Sequence, residues 1–186
     1  PMPRIPSALI DEMVAHALDT IGQKGSDATR QLIKTAGPEL QKALREIVLS
    51  TLATAGAGDD RGLAVVADAM DRDDARRPVT EAIERFGRVD VLVNNVGGSA
   101  GGNPDPFSGN DAAFEQTLVL CLTSAWWTTT AALPSMRDRA FGRIINIGSG
   151  ASKHTGASVG YTAAKHGLVG FSRQLAAATA RYGINV

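Results

Sequence analysis

A single cysteine, Cys121, rules out an intramolecular disulfide and any cysteine-rich metal site, and three scattered histidines add no metal-binding pattern. Neither sign of charge dominates. Nineteen basic and nineteen acidic residues give a formal net charge of zero, which argues against nucleic acid or an anionic membrane as the main partner. Long hydrophobic runs are missing too: apolar stretches are broken by charge or glycine before they could span a bilayer, and the opening "PMPRIPSALIDEM" lacks the apolar core of a signal peptide. The expectation is a soluble cytoplasmic protein with no nucleic-acid or membrane partner, acting on a small molecule. At 186 residues the chain is long enough for one domain with a sizeable core.

What is present changes texture near residue 61. Before it, "SALIDEMVAHALDTIG" sets Leu9, Ile10, Met13, Val14, Ala17, Leu18 and Ile21 on one stripe. "GPELQKALREIVLSTLATAG" repeats the pattern, with Pro38 suited to a first helical position. Residues 1–60 therefore read as a helical segment of unclear role. After it, "LAVVAD" and "VDVLVNN" are short β-branched apolar runs separated by the helical "ARRPVTEAIERFG", the pattern of buried parallel strands joined by a crossover helix. Pro78 is expected in the first turn of that helix, because an interior proline would break it. A long helix over "DAAFEQTLVLCLTSAWWTTTAALPSM", a strand at "GRIINIG", another helix and a strand starting at "GINV" follow. The order β-α-β-α-β-α-β predicts an α/β fold with an open, doubly wound parallel sheet.

Ligands of such sheets bind beyond the carboxyl ends of the strands. Those positions hold Asp68, then "NNVGG", then "GSG" with Ser149. Asn95 can donate and accept hydrogen bonds, Asp68 can accept from a hydroxyl or amino group, and the glycines allow close backbone approach. Downstream, "GYTAAKHG" places Tyr161 one helical turn before Lys165, so both side chains share a face, with Cβ atoms about 5–6 Å apart. An ammonium so placed favours phenolate over phenol, which makes Tyr161 a usable general acid or base. The spacing alone is common; its context gives it meaning. Ser149 lies twelve residues before Tyr161, on a loop able to fold its hydroxyl back beside the phenol.

Together, "VVADAMDRDD", "FGRVDVLVNNVGG", "GRIINIGS" and "YTAAKHGLVGFSRQLA" resemble the short-chain dehydrogenase/reductase family, over roughly residues 61–186. The resemblance implies a Rossmann-like fold, here incomplete, with residues 61–186 as a partial dinucleotide-binding and catalytic domain. It implies hydride transfer between NAD or NADP and a carbonyl or secondary alcohol, without a metal. In this family the tyrosine moves a proton to or from the substrate oxygen, the lysine tunes it and holds the nicotinamide ribose, and the serine orients the carbonyl. Tyr161, Lys165 and Ser149 match those roles. Asp68 with Ala69, and Asn95, Val96 and Gly97, match positions that contact the adenosine. The family also pairs two long helices across a dimer interface, which implies a homo-oligomer through residues 111–137 and 159–182.

Three departures accompany the match. The family's opening strand and T-G-x-x-x-G-x-G phosphate turn have no counterpart here. "GAGDDRG" at residues 56–62 lacks the strand-turn-helix context and would set Asp59 and Asp60 against a pyrophosphate. Further strands and a substrate-covering loop are expected after Val186, leaving the expected pocket short of a wall. Cys121 stands where the family has an asparagine, and a thiol is a weak hydrogen-bonding group. "GGSAGG" reads as an active-site loop, "IGSGA" is not a nucleophile elbow, and His154 and His166 read as surface histidines. Trp126 and Trp127 read as packing residues. The alternative to an active oxidoreductase is a truncated or rearranged non-catalytic relative acting as a binding or interaction protein.

Overall fold

The structure, a computed structural model, describes residues 62–63, 65–98, 107, 109–154 and 156–186. The helices expected over residues 1–60, and most of "GAGDDRG" and "GGSAGG", lie outside the described residues.

Helix α1 (Arg72–Phe86) begins where Asp71 caps it, its Oδ1 accepting from the Asp73 and Asp74 N–H groups at 3.1 and 3.0 Å. Asp73 and Asp74 add negative charge to the first turn, where the helix dipole favours it. Pro78 sits inside the helix rather than in its first turn. A proline removes one N–H, so only the bond that would have reached the Asp74 carbonyl is lost. Arg77 spans the gap, pairing with Asp74 at 2.7 Å and Glu81 at 3.3 Å. Those carboxylates hold the Arg77 guanidinium above its usual ionisation range, the hydrogen bond to Asp74 being the largest cause.

Three parallel strands, β1 (Val91–Asn94), β2 (Gly142–Asn146) and β3 (Ile184–Asn185), lie in the order β1-β2-β3. Val91 pairs with Arg143 and Asn94 with Asn146, so the two longer strands end level. The strand expected at "LAVVAD" is absent from its described residues: 65–68 carry no regular structure, and among the described residues β1 pairs only with β2.

The long helix appears as α2 (Asp111–Leu118), a π-helical turn (Val119–Thr123) and α3 (Ser124–Asp138). Helix α4 (Val159–Thr179) packs on α2 and the π turn, and α3 packs on α1, β1 and β2. Two glycines set the approach of α4 to α2 and the π turn. A Cβ on Gly160 would come within 3.3 Å of the Phe114 Cα, and one on Gly167 within 3.0 Å of a Leu122 methyl. Trp126 closes the α3–α4 seam with an edge-to-face contact to Phe171 at 6.2 Å between centroids. Val79, Ala132, Met136, Ile144, Leu175 and Ile184 form the core. The opposite sheet face, with Val91, Val93, Ile145 and Ile147, is exposed. Residues Asp68–Val186 form one unit, an incomplete doubly wound α/β fold.

Candidate active site

Because β1 and β2 end level, the loops that leave them run side by side, and the Ile147 N–H donates to the Asn94 carbonyl at 3.0 Å. Helix α4 returns over these loop starts. Its N-cap, Ser158, accepts from the Tyr161 N–H at 3.3 Å, fixing the first turn with Tyr161 in it. One turn later Lys165 is buried to 3% exposure, and its Nζ donates to the Ile147 carbonyl at 2.8 Å. The ammonium stands 5.7 Å from the centre of the Tyr161 ring. Their face-sharing therefore places a cation beside the phenol ring, as the four-residue spacing required.

Ser149 follows β2 in extended backbone and caps a 3-10 turn (Gly150–Ser152) that packs on α4. Its Oγ accepts from the Ala151 N–H at 3.2 Å, and its carbonyl accepts from the Ser152 N–H and hydroxyl at 3.0 and 2.6 Å. A serine oxygen used as acceptor keeps its own proton for donation. The turn thus fixes Ser149 while leaving the O–H able to donate.

Gly97 completes the cluster from the β1 side. A Cβ there would lie 3.4 Å from both the Lys165 Nζ and the Cys121 Sγ, so glycine lets the loop backbone lie against the ammonium. Cys121 sits in the π turn, a distortion that recurs at functional sites. It holds the loop at both polar atoms of one peptide position: the thiol donates to the Gly98 carbonyl at 3.1 Å and accepts from the Gly98 N–H at 3.2 Å. Weak donor though it is, the thiol is engaged both as donor and as acceptor.

The remaining sequence candidates fall into two places. Asn95, Val96 and Gly97 are exposed in the loop beyond β1. Asp68 and Ala69 lie in the turn that enters α1, where Asp68 Oδ1 accepts from the Met70 N–H at 2.9 Å and its carbonyl accepts from the Asp71 N–H at 3.1 Å. His166 is exposed on α4 with Nδ1 3.0 Å from the Thr162 carbonyl, and His154 is exposed in the loop before it. Among the described residues no cluster of metal-ligating side chains occurs, and no helix is long and apolar enough to cross a membrane.

Sequence reasoning missed Asn94, Asn146 and the Ile147 carbonyl. Asn94 does not face outward with Asn95; its Nδ2 donates sideways to Asn146 Oδ1 at 2.8 Å. Strand alternation carried the signal, since adjacent residues in a strand point to opposite faces.

A family profile described as short chain dehydrogenase matches residues 26–186. Levodione reductase of Leifsonia aquatica is 35% identical over 155 residues, covering 83% of this chain and 55% of that protein. The crystal structure of a short-chain dehydrogenase from Streptomyces avermitilis superposes with a TM-score of 0.64 at 30% identity, covering 74% of this chain and 49% of that one. An NADH-dependent reductase crystallised with NAD gives a TM-score of 0.60 at 29% identity, over 63% of this chain and 52% of its own. The chain spans about half the length of the curated relatives it matches.

Proposed function

Because the chain belongs to the short-chain dehydrogenase family, we propose that it is an oxidoreductase acting with NAD or NADP on a ketone or secondary alcohol, with Tyr161 as proton donor and acceptor. One observation supports this most: the buried Lys165 ammonium, hydrogen-bonded to the Ile147 carbonyl at 2.8 Å, 5.7 Å from the Tyr161 ring and against Gly97. The residues present fit a nicotinamide nucleotide. Gly97 leaves backbone open beside a lysine with further N–H donors for ribose hydroxyls, and a carboxylate stands in the turn at Asp68. Lys165 and Tyr161 would hold the nicotinamide ribose; Asp68, Ala69, Asn95, Val96 and Gly97 would hold the adenosine. Bound there, the nicotinamide would supply or accept the hydride.

The chain's own groups handle the oxygen. In the reductive direction, Ser149 donates its hydroxyl proton in a hydrogen bond to the carbonyl oxygen, and Tyr161 passes its phenolic proton to that oxygen as charge develops. The Lys165 ammonium offsets the charge left on Tyr161. Alcohol oxidation runs the same transfers backward. A homo-oligomer through α2–α3 and α4 belongs to the same reading, with the half-exposed Trp126 on that face.

The test is steady-state oxidation of NADH and NADPH with a panel of ketones, alongside Tyr161→Phe and Ser149→Ala. A positioned acid contributes about 10²–10⁴-fold, so Tyr161→Phe is expected to lose that much turnover while still binding nucleotide. If the chain binds neither nucleotide, the non-catalytic alternative replaces this reading.

A further inference from the structure

Beneath the Tyr161–Lys165 cluster, a chain of side-chain hydrogen bonds crosses the sheet from α3 to α4. The Thr128 hydroxyl donates to Asn94 Oδ1 at 2.6 Å, and Asn94 Nδ2 donates to Asn146 Oδ1 at 2.8 Å and to the Thr129 hydroxyl at 3.2 Å. Asn146 Nδ2 then donates to the Ser172 hydroxyl at 2.8 Å, which donates to the Leu168 carbonyl at 2.7 Å. The shortest contacts assign the direction, the Thr128 hydroxyl lying nearer Asn94 Oδ1 than the Ala125 and Ser124 carbonyls at 3.1 and 3.2 Å. Ser172 spends its only proton on a carbonyl, so it must accept from Asn146 Nδ2; that turns Asn146 Oδ1 toward Asn94, and Asn94 Oδ1 toward Thr128. Chains of this kind polarise one another and hold a single geometry.

We propose that Asn146, with Asn94 and Ser172 on either side, is a positioning residue for Lys165. The inference rests on the oxidoreductase reading for its effect on turnover, and on geometry alone for its effect on the lysine. Asn146 immediately precedes Ile147, whose carbonyl accepts from Lys165 Nζ at 2.8 Å and whose N–H is bonded to the Asn94 carbonyl at 3.0 Å. Ser172 lies two turns after Lys165 on α4 and on the same face, about 10 Å along the axis. Helix α4 is therefore attached to the end of β2 at two points, Ser172 to Asn146 and Lys165 to Ile147. One attachment would let the helix slide or roll against the strand; two fix the ammonium beside Tyr161. Mere packing does not require amides here, since replacing both partners of a buried hydrogen bond by apolar groups of similar shape costs little. Misplacing a reacting group by about 1 Å can cost about 10²-fold in rate.

The experiment uses the full chain and four forms: wild type, Asn146→Leu, Ser172→Ala and the double variant Asn94→Leu/Asn146→Leu. Three quantities are read: the thermal midpoint, the rate at which trinitrobenzenesulfonate labels Lys165 as resolved by peptide mass spectrometry, and kcat with KM for ketone reduction. Asn146→Leu and the milder Ser172→Ala are expected to raise Lys165 labelling about tenfold and to lower kcat about tenfold, with KM for the ketone little changed. The double variant recovers the thermal midpoint and leaves labelling and kcat perturbed. Ser172→Thr, which keeps a hydroxyl, behaves as wild type. Unchanged Lys165 labelling in both single variants overturns the proposal, as does a double variant that recovers all three quantities. If wild type turns over no ketone, the oxidoreductase reading fails by itself, and the labelling result still decides whether the chain of amides positions Lys165.

Discussion

Replacing Lys165 with methionine tests whether the buried cation acts on Tyr161. Methionine keeps the length and apolar stem of the side chain but removes the ammonium, its 2.8 Å bond to the Ile147 carbonyl and its charge 5.7 Å from the ring centre. Taking an effective dielectric of about 20, a unit charge about 6 Å from charge that develops as the proton is transferred is worth roughly 3 kcal/mol to the transition state. At about 1.4 kcal/mol per decade that is about a hundredfold in turnover. Stability should respond far less. An unpartnered Ile147 carbonyl costs about 1–3 kcal/mol, while removal of a buried ammonium relieves a desolvation penalty of several kcal/mol, so the two oppose each other. The assay is kcat for ketone reduction at saturating nucleotide, with circular dichroism and a thermal melt to confirm the fold. A methionine variant with a wild-type melt that turns over within about threefold of wild type would refute the assignment of charge compensation to Lys165.

Gly97→Ala places a methyl 3.4 Å from both Lys165 Nζ and Cys121 Sγ, an ordinary contact that leaves the fold intact but covers the ammonium; calorimetry should show nucleotide affinity weakened about tenfold, and an unchanged affinity would remove Gly97 from the nucleotide site. Gly142→Ala drives a Cβ to 2.5 Å from the Met136 sulfur and 2.9 Å from its Cβ, in the core, so urea unfolding should report a loss of about 1–3 kcal/mol with nucleotide affinity unchanged. Arg88, hydrogen-bonded to Asp90, holds that carboxyl below the usual carboxylate range. The pair's stabilisation is therefore present above the ordinary range and lost as pH falls through the lowered value; Asp90→Asn should flatten that acid limb of the melting curve, and an unaltered limb would show the pair to be inert.

The spacing of Tyr161 and Lys165 was legible because helix geometry follows from residue count alone, and what it predicted was a shared face. It could not predict the third partner, the Ile147 carbonyl, because that contact depends on how far α4 lies from β2. Gly160 and Gly167 set the approach of α4 to α2 and the π turn, and nothing in their local sequence says which neighbour they admit. "VDVLVNN" and "GRIINIG" read correctly as strands, whereas "LAVVAD" has equal apolar, β-branched character and its described residues 65–68 carry no regular structure. Composition describes what a strand tolerates and does not by itself form one. The Asn pair at residues 94 and 95 shows the same limit on a smaller scale, with one amide turned into the sheet and the other exposed.

On the proposed reading, proton handling and nucleotide binding would draw on different parts of this unit. The first depends on residues fixed by close neighbours: Tyr161 and Lys165 by one helical turn, Lys165 by the strand end, Ser149 by the turn it caps. Each is held by bonds at or below 3.3 Å within β2, α4 and the link between them. The second would depend on Asp68 and Ala69 before α1 and on the exposed Asn95–Gly97 loop, which reaches the cluster through Gly97 and, one residue on, through the Cys121 clamp on Gly98. Parallel sheets are ordinarily covered on both faces, yet Val91 and Val93 are each 52% exposed directly before that loop. Strand β1 touches both parts: the chain runs on from Asn94 into the Asn95–Gly97 loop, and Asn94 itself bonds to Asn146 and to the Ile147 N–H. Perturbing the exposed face of β1 should accordingly alter nucleotide affinity and the Lys165 labelling rate together, and a change in one without the other would refute this shared route.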